Sequence, residues 1–249
     1  MYSEKKPNFN LESLIGRIGS VPHFKGLPEA ALKEIVIAGQ IINFPAESVI
    51  FHEGAPCSGL FVIFRGKVHL CKQGVGGQET IIAVIKPVIM FNEVTVIDGD
   101  LNPVTAKAVE DCTTWQIGCD RFQILMSRYP QVGTGLLGVM ALRNRLMLSH
   151  VEDLISRPIL ARVAKSILDL SQGGQEPVSR REHSNMEIAA LVATVHEAIS
   201  RSIKSLQEMG AIEYTREEIT VTSIKRLAEL AQIDPLELRS GPLAGAPIA

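Results

Sequence analysis

The sequence has little of several features that would point to a special partner. Only 5% of its 249 residues are aromatic, which argues against the stacking platforms that bind single-stranded nucleic acid. Its formal charge is -2, from 25 Lys and Arg against 27 Asp and Glu. No overall electrostatic field therefore favours nucleic acid, a membrane surface or an acidic substrate. Binding to a nucleic-acid duplex has to be inferred from local motifs.

Cysteines and long apolar runs are also scarce. The four cysteines, Cys57, Cys71, Cys112 and Cys119, match neither a CxxC zinc pair nor a disulfide-dense secreted scaffold. We expect them to be reduced, at ordinary strand or loop positions. The N-terminus lacks the apolar run and cleavage site of a signal peptide, and the longest apolar runs fall short of the roughly 20 residues of a membrane span. These absences predict a cytoplasmic protein without membrane association.

The first half of the chain has the pattern of a short helix followed by a β domain. LPEAALKEIVIAG has helical apolar spacing, with Pro28 near its start and Gly39 at its exit. Short β-rich runs separated by turn residues then follow: IINF, SVIF, GLFVIF, KVHLCK, ETIIAVI, TAKAVE and TTWQIG. They predict a sandwich or barrel, a jelly roll more than a meander. Arg65-Gly66 predicts a tight hairpin, and the segment 74–77 predicts a flexible tip.

A long helical pattern follows the β domain. From Asp120 to Ser156 an apolar stripe recurs at helical spacing, formed by Leu136, Val139, Met140, Leu142, Leu146, Val151 and Leu154. Such a helix outside a completed β domain commonly pairs with a copy of itself, although packing on its own sandwich is the alternative. Residues 157–171 predict another amphipathic helix, and SQGGQEP predicts a break after it.

The segment from Ser184 onward has the pattern of a helix-turn-helix. Ser184 and Glu187 form a capping box before an apolar face. Ala189 is small where a second helix must cross, Ala193 lies at the turn, and Ile199 returns to the shared core. The turn favours Gly because it needs a left-handed backbone, so Ala193 is expected to cost about 1 kcal/mol.

The second helix of this motif carries the candidate base contacts. We expect Thr194 to cap it, with His196, Glu197, Ser200 and Arg201 on its exposed face. Arg201 can donate two hydrogen bonds to guanine, and Glu197 can accept one from cytosine N4. Ser200 can reach a base or a backbone oxygen. Lys204, one turn further, suits phosphate. A merely solvated helix face is the alternative, and the following GAIEYTREEITVTS, which resembles the wing of a winged helix, argues against it.

From about residue 20 to 232 the chain resembles the CRP/FNR family of bacterial transcription regulators. The marks are F-x-E-G at 51–54, GLFVIFRGKVHL, the FNE at 91–93 where the family has F-G-E, the long helix and the winged helix-turn-helix. Their shared order and spacing make the resemblance specific.

The resemblance implies an α+β protein. A jelly roll of the cyclic-nucleotide-binding type with a short N-terminal helix would occupy 1–120, a dimerisation helix 121–156, a winged helix-turn-helix 157–238 and a flexible tail 239–249. It also implies a homodimer on double-stranded DNA, with half-sites about one helical turn apart. The E-x-x-S-R pattern of Glu197, Ser200 and Arg201 resembles the FNR branch, which reads TTGA-type half-sites. RNA polymerase would contact the tip at 74–77.

The family's effector pocket maps onto Glu93, Asn102, Pro103, Arg143, Met147 and Leu148. Glu93 matches the Glu of the cyclic AMP-binding branch, but Asn102 and Pro103 replace its Arg-Ser pair, so the guanidinium with which that pair binds the phosphate is lost. Cyclic AMP is therefore disfavoured. Met147 and Leu148 replace a polar pair, which suits a hydrophobic ligand, a haem or a filled core.

Other cofactors and functions have weaker support in the sequence. An iron-sulfur cluster is disfavoured because the first cysteine is Cys57. A haem could use His69, His150 or Met147, but a lone His is more often a packing residue. A cupin-like enzyme would need a metal-binding His and carboxylate cluster, for which the β region offers only His52 and His69. We predict a regulator and not an enzyme, with a pure interaction module as a further alternative.

The charge of the C-terminal part limits how it can bind DNA. Residues 157–249 carry 11 Lys and Arg against 12 Asp and Glu. Arg180, Arg181, Arg201 and Lys204 would have to gather on one face, and we expect weak non-specific binding with a small salt dependence.

Overall fold

The computed structural model describes residues 10–74 and 79–233. They form two compact units, whose boundary falls inside a long helix between Leu142 and Arg143; a short piece of one strand, Thr80–Ala83, groups with the second unit. Residues 75–77 of the predicted tip and the whole predicted tail at 239–249 lie outside the described residues. No helix within the described ranges has the length and apolar character needed to cross a bilayer.

The elements up to Ser156 follow the predicted order. In chain order they are α1 (Leu11–Gly19), a 3-10 turn (Pro22–Phe24), α2 (Glu29–Ala38), β1 (Gln40–Phe44), β2 (Val49–Phe51), β3 (Leu60–Arg65), β4 (Val68–Gln73), β5 (Glu79–Ile85), β6 (Met90–Phe91), α3 (Glu93–Asp98), β7 (Thr105–Ala108), β8 (Cys112–Ile117), α4 (Cys119–Arg128) and α5 (Pro130–Ser156). Each predicted β-rich run contains a strand, whereas α1, β6 and α3 were not predicted.

The strands form two four-stranded sheets, in the orders β1-β8-β3-β6 and β2-β7-β4-β5, which confirms the jelly roll. The predicted hairpin at Arg65-Gly66 is wrong, because β3 and β4 belong to different sheets. Both edges of β3 are already occupied, by β8 on one side and β6 on the other, so β4 has no edge to pair with. Gly66 lies in the connection from β3 to β4 and has a left-handed φ of 93°.

The core of the β unit explains why Gly39 ends α2. The indole of Trp115 is buried and donates a hydrogen bond from Nε1 to the carbonyl oxygen of Val36, at 3.3 Å. A Cβ on Gly39 would lie 2.3 Å from this ring. Glycine is therefore required here for close approach, since its φ of -105° is one that any residue adopts.

The predicted helix over Asp120–Ser156 is two helices. α4 ends at Arg128 and α5 begins at Pro130. Tyr129 between them is extended, with a φ of -124° and a ψ of 83°, because a residue before proline avoids the helical region. The apolar stripe therefore lies on α5 alone, which runs for 27 residues.

The prediction of four reduced cysteines is wrong for one pair, since Cys57 and Cys119 form a disulfide. Cys57 lies three residues before Leu60, and Cys119 lies two residues after Ile117. Because Leu60 pairs with Ile117 in the antiparallel β3–β8 register, these two cysteines meet at the same end of the sheet. A separation of 62 residues gave no such indication in the sequence.

Cys71 and Cys112 are buried free thiols, as ordinary strand residues would be. Burial raises the pKa of each thiol to about 11. Neither is therefore a reactive thiolate at neutral pH.

The second unit contains the helix-turn-helix and its wing. Its elements after α5 are α6 (Ile159–Leu170), β9 (Val178–Ser179), α7 (Asn185–Leu191), α8 (His196–Glu208), β10 (Ile212–Tyr214), β11 (Glu218–Val221) and α9 (Ile224–Ala231). β9 adds a third strand to the predicted wing, in the order β10-β11-β9. The apolar sides of α6, α7, α8 and α9 enclose one core.

The structure agrees with the predicted start and turn of the helix-turn-helix. Ser184 Oγ accepts from the Glu187 backbone N–H, and Glu187 Oε2 accepts from the Ser184 N–H at 2.9 Å, which confirms the capping box. Ala193 has the expected left-handed backbone, with a φ of 49°. Ala189 and Ile199 are both buried, as the predicted crossing requires.

The prediction that Thr194 caps the second helix is wrong. The N-cap residue is Val195, whose side chain forms no capping hydrogen bond. The backbone N–H of Thr194 instead donates to the Ala189 carbonyl at 2.9 Å and closes the end of α7. Thr194 therefore lies one residue too early to cap α8.

Candidate nucleic-acid interface and effector site

The exposed face of α8 carries the predicted base-contact residues. His196, Glu197, Ser200 and Arg201 are all exposed, as is Lys204 one turn further along. The opposite face, formed by Ala198, Ile199, Ser202, Ile203 and Leu206, is buried. The helix thus holds its polar residues outward on a rigid support, which is the arrangement a major-groove helix needs.

The predicted basic cluster divides into exposed and engaged side chains. Arg181, Arg201 and Lys204 are exposed. Arg180 is half-buried: its guanidinium donates to the His183 carbonyl oxygen and to Asn185 Oδ1. The four residues therefore do not form one freely accessible basic face. No sequence pattern indicated the contacts of Arg180.

Asn102, one of the predicted effector-pocket residues, is buried and engaged in hydrogen bonds. Its Nδ2 donates to the carbonyl oxygens of His52 at 3.3 Å and Pro56 at 3.2 Å. Its backbone N–H donates to the Ala55 carbonyl at 2.8 Å, and its own carbonyl accepts from Gly54 N–H at 2.9 Å. Asn102 therefore fastens the loop that follows β2.

Asn92 completes this network from the turn before α3. Its Nδ2 donates to Asn102 Oδ1 at 3.2 Å and to the Gly59 carbonyl at 2.9 Å. Asn92 has a left-handed φ of 69°, a conformation that Gly and Asn tolerate best. Asn92 thus links the turn before α3 to Asn102 and, through it, to the loop after β2.

The other predicted effector residues have varied environments. Glu93 is buried, whereas Pro103 is exposed. On α5, Met147 and Leu148 are exposed. Arg143 is half-buried, and burial lowers the pKa of its guanidinium to about 10.

Three buried aromatic side chains, Phe51, Phe61 and Phe91, pack against one another inside the jelly roll. The rings of Phe61 and Phe91 stack with centroids 5.3 Å apart, and Phe51 packs 5.8 Å from Phe61. An open cleft of about 830 Å³ lies instead at one end of the sheet, beside the disulfide. Its lining includes the polar side chains Gln40, Ser58, Gln116, Asp120 and Arg121. No cluster of three potential metal ligands occurs in the described parts of the chain.

The jelly roll, the long helix and the winged helix-turn-helix together define a DNA-binding transcription regulator with a sensor domain. Residues 41–129 match the cyclic nucleotide-binding domain model, and residues 161–230 match the Crp-like helix-turn-helix domain model. The chain belongs to the CRP/FNR family of transcription regulators, which are not enzymes.

Named relatives agree with this assignment. The chain is 28% identical over 192 residues to the CRP-like cAMP-activated global transcriptional regulator of Mycobacterium tuberculosis, covering 75% of this chain and 84% of the relative. It is 29% identical over 176 residues to the Cyclic AMP receptor protein of Thermus thermophilus, covering 71% and 81%. The crystal structure of Thermus thermophilus Catabolite Activator Protein superimposes with a TM-score of 0.51 at 27% identity, covering 85% of this chain and 98% of that one.

The Asn102 network makes a prediction about stability. Asn102→Ala should lower the free energy of unfolding of the β unit by about 1–3 kcal/mol, because it leaves buried polar groups without partners. Asn102→Asp should lower it more, since a carboxylate oxygen would face the carbonyl oxygens of His52 and Pro56. Urea titration followed by the fluorescence of Trp115, the single tryptophan, reports on this unit.

Pro103→Ala, at the exposed neighbouring position, is the matched control and should lower the free energy of unfolding by less than about 1 kcal/mol, because loss of the proline only frees the unfolded chain. An Asn102→Ala midpoint equal to that of the wild type would show that the network does not stabilise the unit.

Proposed function

We propose that this regulator binds, as a homodimer in the cytoplasm, to palindromic DNA sites with TTGA-type half-sites, under the control of a small effector other than cyclic AMP. The observation that carries the proposal is the exposed polar face of α8 with His196, Glu197, Ser200 and Arg201. RNA polymerase is the further partner proposed for the tip at 74–77.

The chemistry of this face suits the proposed half-site. A TTGA sequence contains one G·C pair, whose guanine offers the O6 and N7 acceptors and whose cytosine offers the N4 donor. Arg201 supplies a bidentate donor for the guanine, and Glu197 supplies an acceptor for the cytosine. Lys204, with a side chain 77% exposed, is placed to contact phosphate.

Base contacts must carry much of the affinity, because the DNA-binding part is not basic in total. With 11 Lys and Arg against 12 Asp and Glu in residues 157–249, few phosphates can be neutralised. Each phosphate contact contributes about 0.9 to the slope of log K against log salt. We therefore expect a small slope and weak binding to random DNA.

Arg201→Ala tests the proposed base contact. The variant should lose about 1–3 kcal/mol of binding free energy per half-site on a TTGA palindrome and much less on random duplex, because it removes a bidentate contact to one base. Fluorescence anisotropy titrations of both duplexes measure the ratio of the two affinities.

Lys204→Ala is the matched control on the same helix. It should weaken both duplexes by a similar factor and reduce the salt slope. If Arg201→Ala keeps the wild-type ratio of specific to random affinity, Arg201 does not read a base.

The proposed dimer interface is an apolar face of α5. Leu137, Leu142, Met147, Leu148, Val151, Leu154 and Ile155 are all exposed large hydrophobic residues on this helix. Five of them, from Met147 to Ile155, recur at the spacing of three and four residues that places side chains on one helical face. Exposed apolar surface of this kind marks an interaction site, and a symmetric partner helix buries the same surface on both copies.

Val151→Asp tests this interface. It would place two carboxylates in an apolar helix pair, so self-association should weaken about a hundredfold. Sedimentation velocity over a concentration series measures this shift, and Glu152→Ala on the adjacent exposed position is the control. A Val151→Asp protein that remains dimeric at the wild-type concentrations would place the interface elsewhere.

The effector is proposed to differ from cyclic AMP because of the Asn102 network. A cyclic phosphate needs a charged donor, and Asn102 offers a neutral amide whose Nδ2 already donates to His52 and Pro56. One similar protein is named as cAMP-activated and another as a cyclic AMP receptor, so control by cyclic AMP is the competing hypothesis for this chain. Three alternatives for the effector follow: an apolar metabolite, a haem that binds nitric oxide, or no effector at all.

A further inference from the structure

Arg180 lies between β9 and α7, and both terminal nitrogens of its guanidinium donate hydrogen bonds. Nη1 donates to the His183 carbonyl oxygen, Nη2 donates to Asn185 Oδ1, and the guanidinium carbon lies 5.7 Å from the centre of the Tyr214 ring. Its Nε is buried. The backbone N–H of Arg180 donates to the Glu217 carbonyl at 2.7 Å, which fixes the residue to the wing.

The contact with Arg180 determines the orientation of the Asn185 amide. A guanidinium has donors only, so the oxygen of Asn185 must face it. The amide nitrogen then points the other way, where Nδ2 donates to Ser200 Oγ at 3.1 Å. Asn185 thus connects Arg180 to the exposed face of α8.

This contact in turn determines what Ser200 can offer to DNA. Ser200 Oγ accepts from Asn185 and donates its one hydrogen to the His196 carbonyl at 3.3 Å. A hydroxyl has one hydrogen and two lone pairs, so the capacity that remains is an acceptor. Such an acceptor pairs with the exocyclic amino group of cytosine or adenine, whereas guanine N7 and O6 offer no hydrogen in the major groove.

We propose that Arg180 is a positioning residue for base recognition, which acts through Asn185 to hold the Ser200 hydroxyl as a hydrogen-bond acceptor. Arg180 therefore determines specificity without contacting DNA. This inference rests on the proposed function, in which α8 reads the bases.

The sequence-based prediction that Arg180 belongs to a DNA-contacting basic face has a different signature. A phosphate contact contributes equally on all sequences and adds about 0.9 to the salt slope. A positioning residue changes discrimination at one base pair and leaves the salt slope unchanged. The two roles are thus separable by measurement.

The experiment first selects binding sites with the full-length wild-type protein from duplexes of random sequence. A set of duplexes with every single-base change in the selected half-site is then titrated with wild type, Arg180→Ala, Asn185→Ala, Ser200→Ala and the double variant Arg180→Ala/Ser200→Ala. Arg181→Ala, the exposed neighbouring arginine, is the matched control. Each titration is repeated at several salt concentrations.

Ser200→Ala should lose about 3- to 10-fold of the discrimination at one base pair, as expected for one hydrogen bond. Arg180→Ala and Asn185→Ala should lose discrimination at that same base pair with the wild-type salt slope, and the double variant should lose no more than Ser200→Ala alone. Arg181→Ala should change the salt slope and leave the base preferences unchanged.

Several results would overturn the inference. These are a reduced salt slope for Arg180→Ala, additive losses in the double variant, or no effect of Ser200→Ala at any base pair. If Arg180→Ala fails to fold, Asn185→Ala breaks the same chain of contacts and decides the question. A wild-type protein that selects no consensus contradicts the proposed function itself, which is a separate outcome.

Discussion

The buried amide of Asn102 is the contact that joins the loop after β2 to the turn before α3 in the β unit. It bonds the carbonyl oxygens of His52 and Pro56 on one side and the side chain of Asn92 on the other. An unpaired amide in this buried position would cost more than the bonds themselves contribute, so the loop after β2 and the turn before α3 are constrained together. An arginine at this position would have to displace these contacts before it could face a phosphate.

The DNA-binding unit depends on geometry more than on charge. The capping box of Ser184 and Glu187 fixes the start of α7, and the left-handed Ala193 fixes the angle at which α8 leaves it. The polar residues of α8 then lie outward because Ile199 and its neighbours are buried. A near-neutral chain can therefore present a specific surface to DNA without a strongly positive field.

The fold could be predicted from the sequence wherever the pattern was local. Short, evenly spaced β-rich runs separated by turn residues indicated the jelly roll, and the capping box with small and apolar residues at fixed offsets indicated the helix-turn-helix. Errors arose where the answer depended on pairing between distant segments. The register of β3 against β8 brings Cys57 to Cys119, and the occupied edges of β3 exclude the hairpin at Arg65.

The candidate site shows the same limit. Exposed positions on α8 followed from helical spacing, because a helix fixes its own faces. The contacts of Arg180 did not, since they join the β9–α7 connection to the wing residue Tyr214, which lies 34 positions later in the chain. The hydrogen bond between Asn92 and Asn102 could not be predicted either, although each Asn by itself was visible in the sequence as a departure from the family motif.

The most direct test of the central claim is the effect of cyclic AMP on DNA binding. The affinity of the wild-type protein for its selected DNA site should be measured by fluorescence anisotropy with and without saturating cyclic AMP. Calorimetry should also measure the binding of the nucleotide to the protein alone. The Asn102 network predicts equal affinities and no saturable heat. A tenfold or greater rise in DNA affinity with saturable nucleotide binding would contradict it.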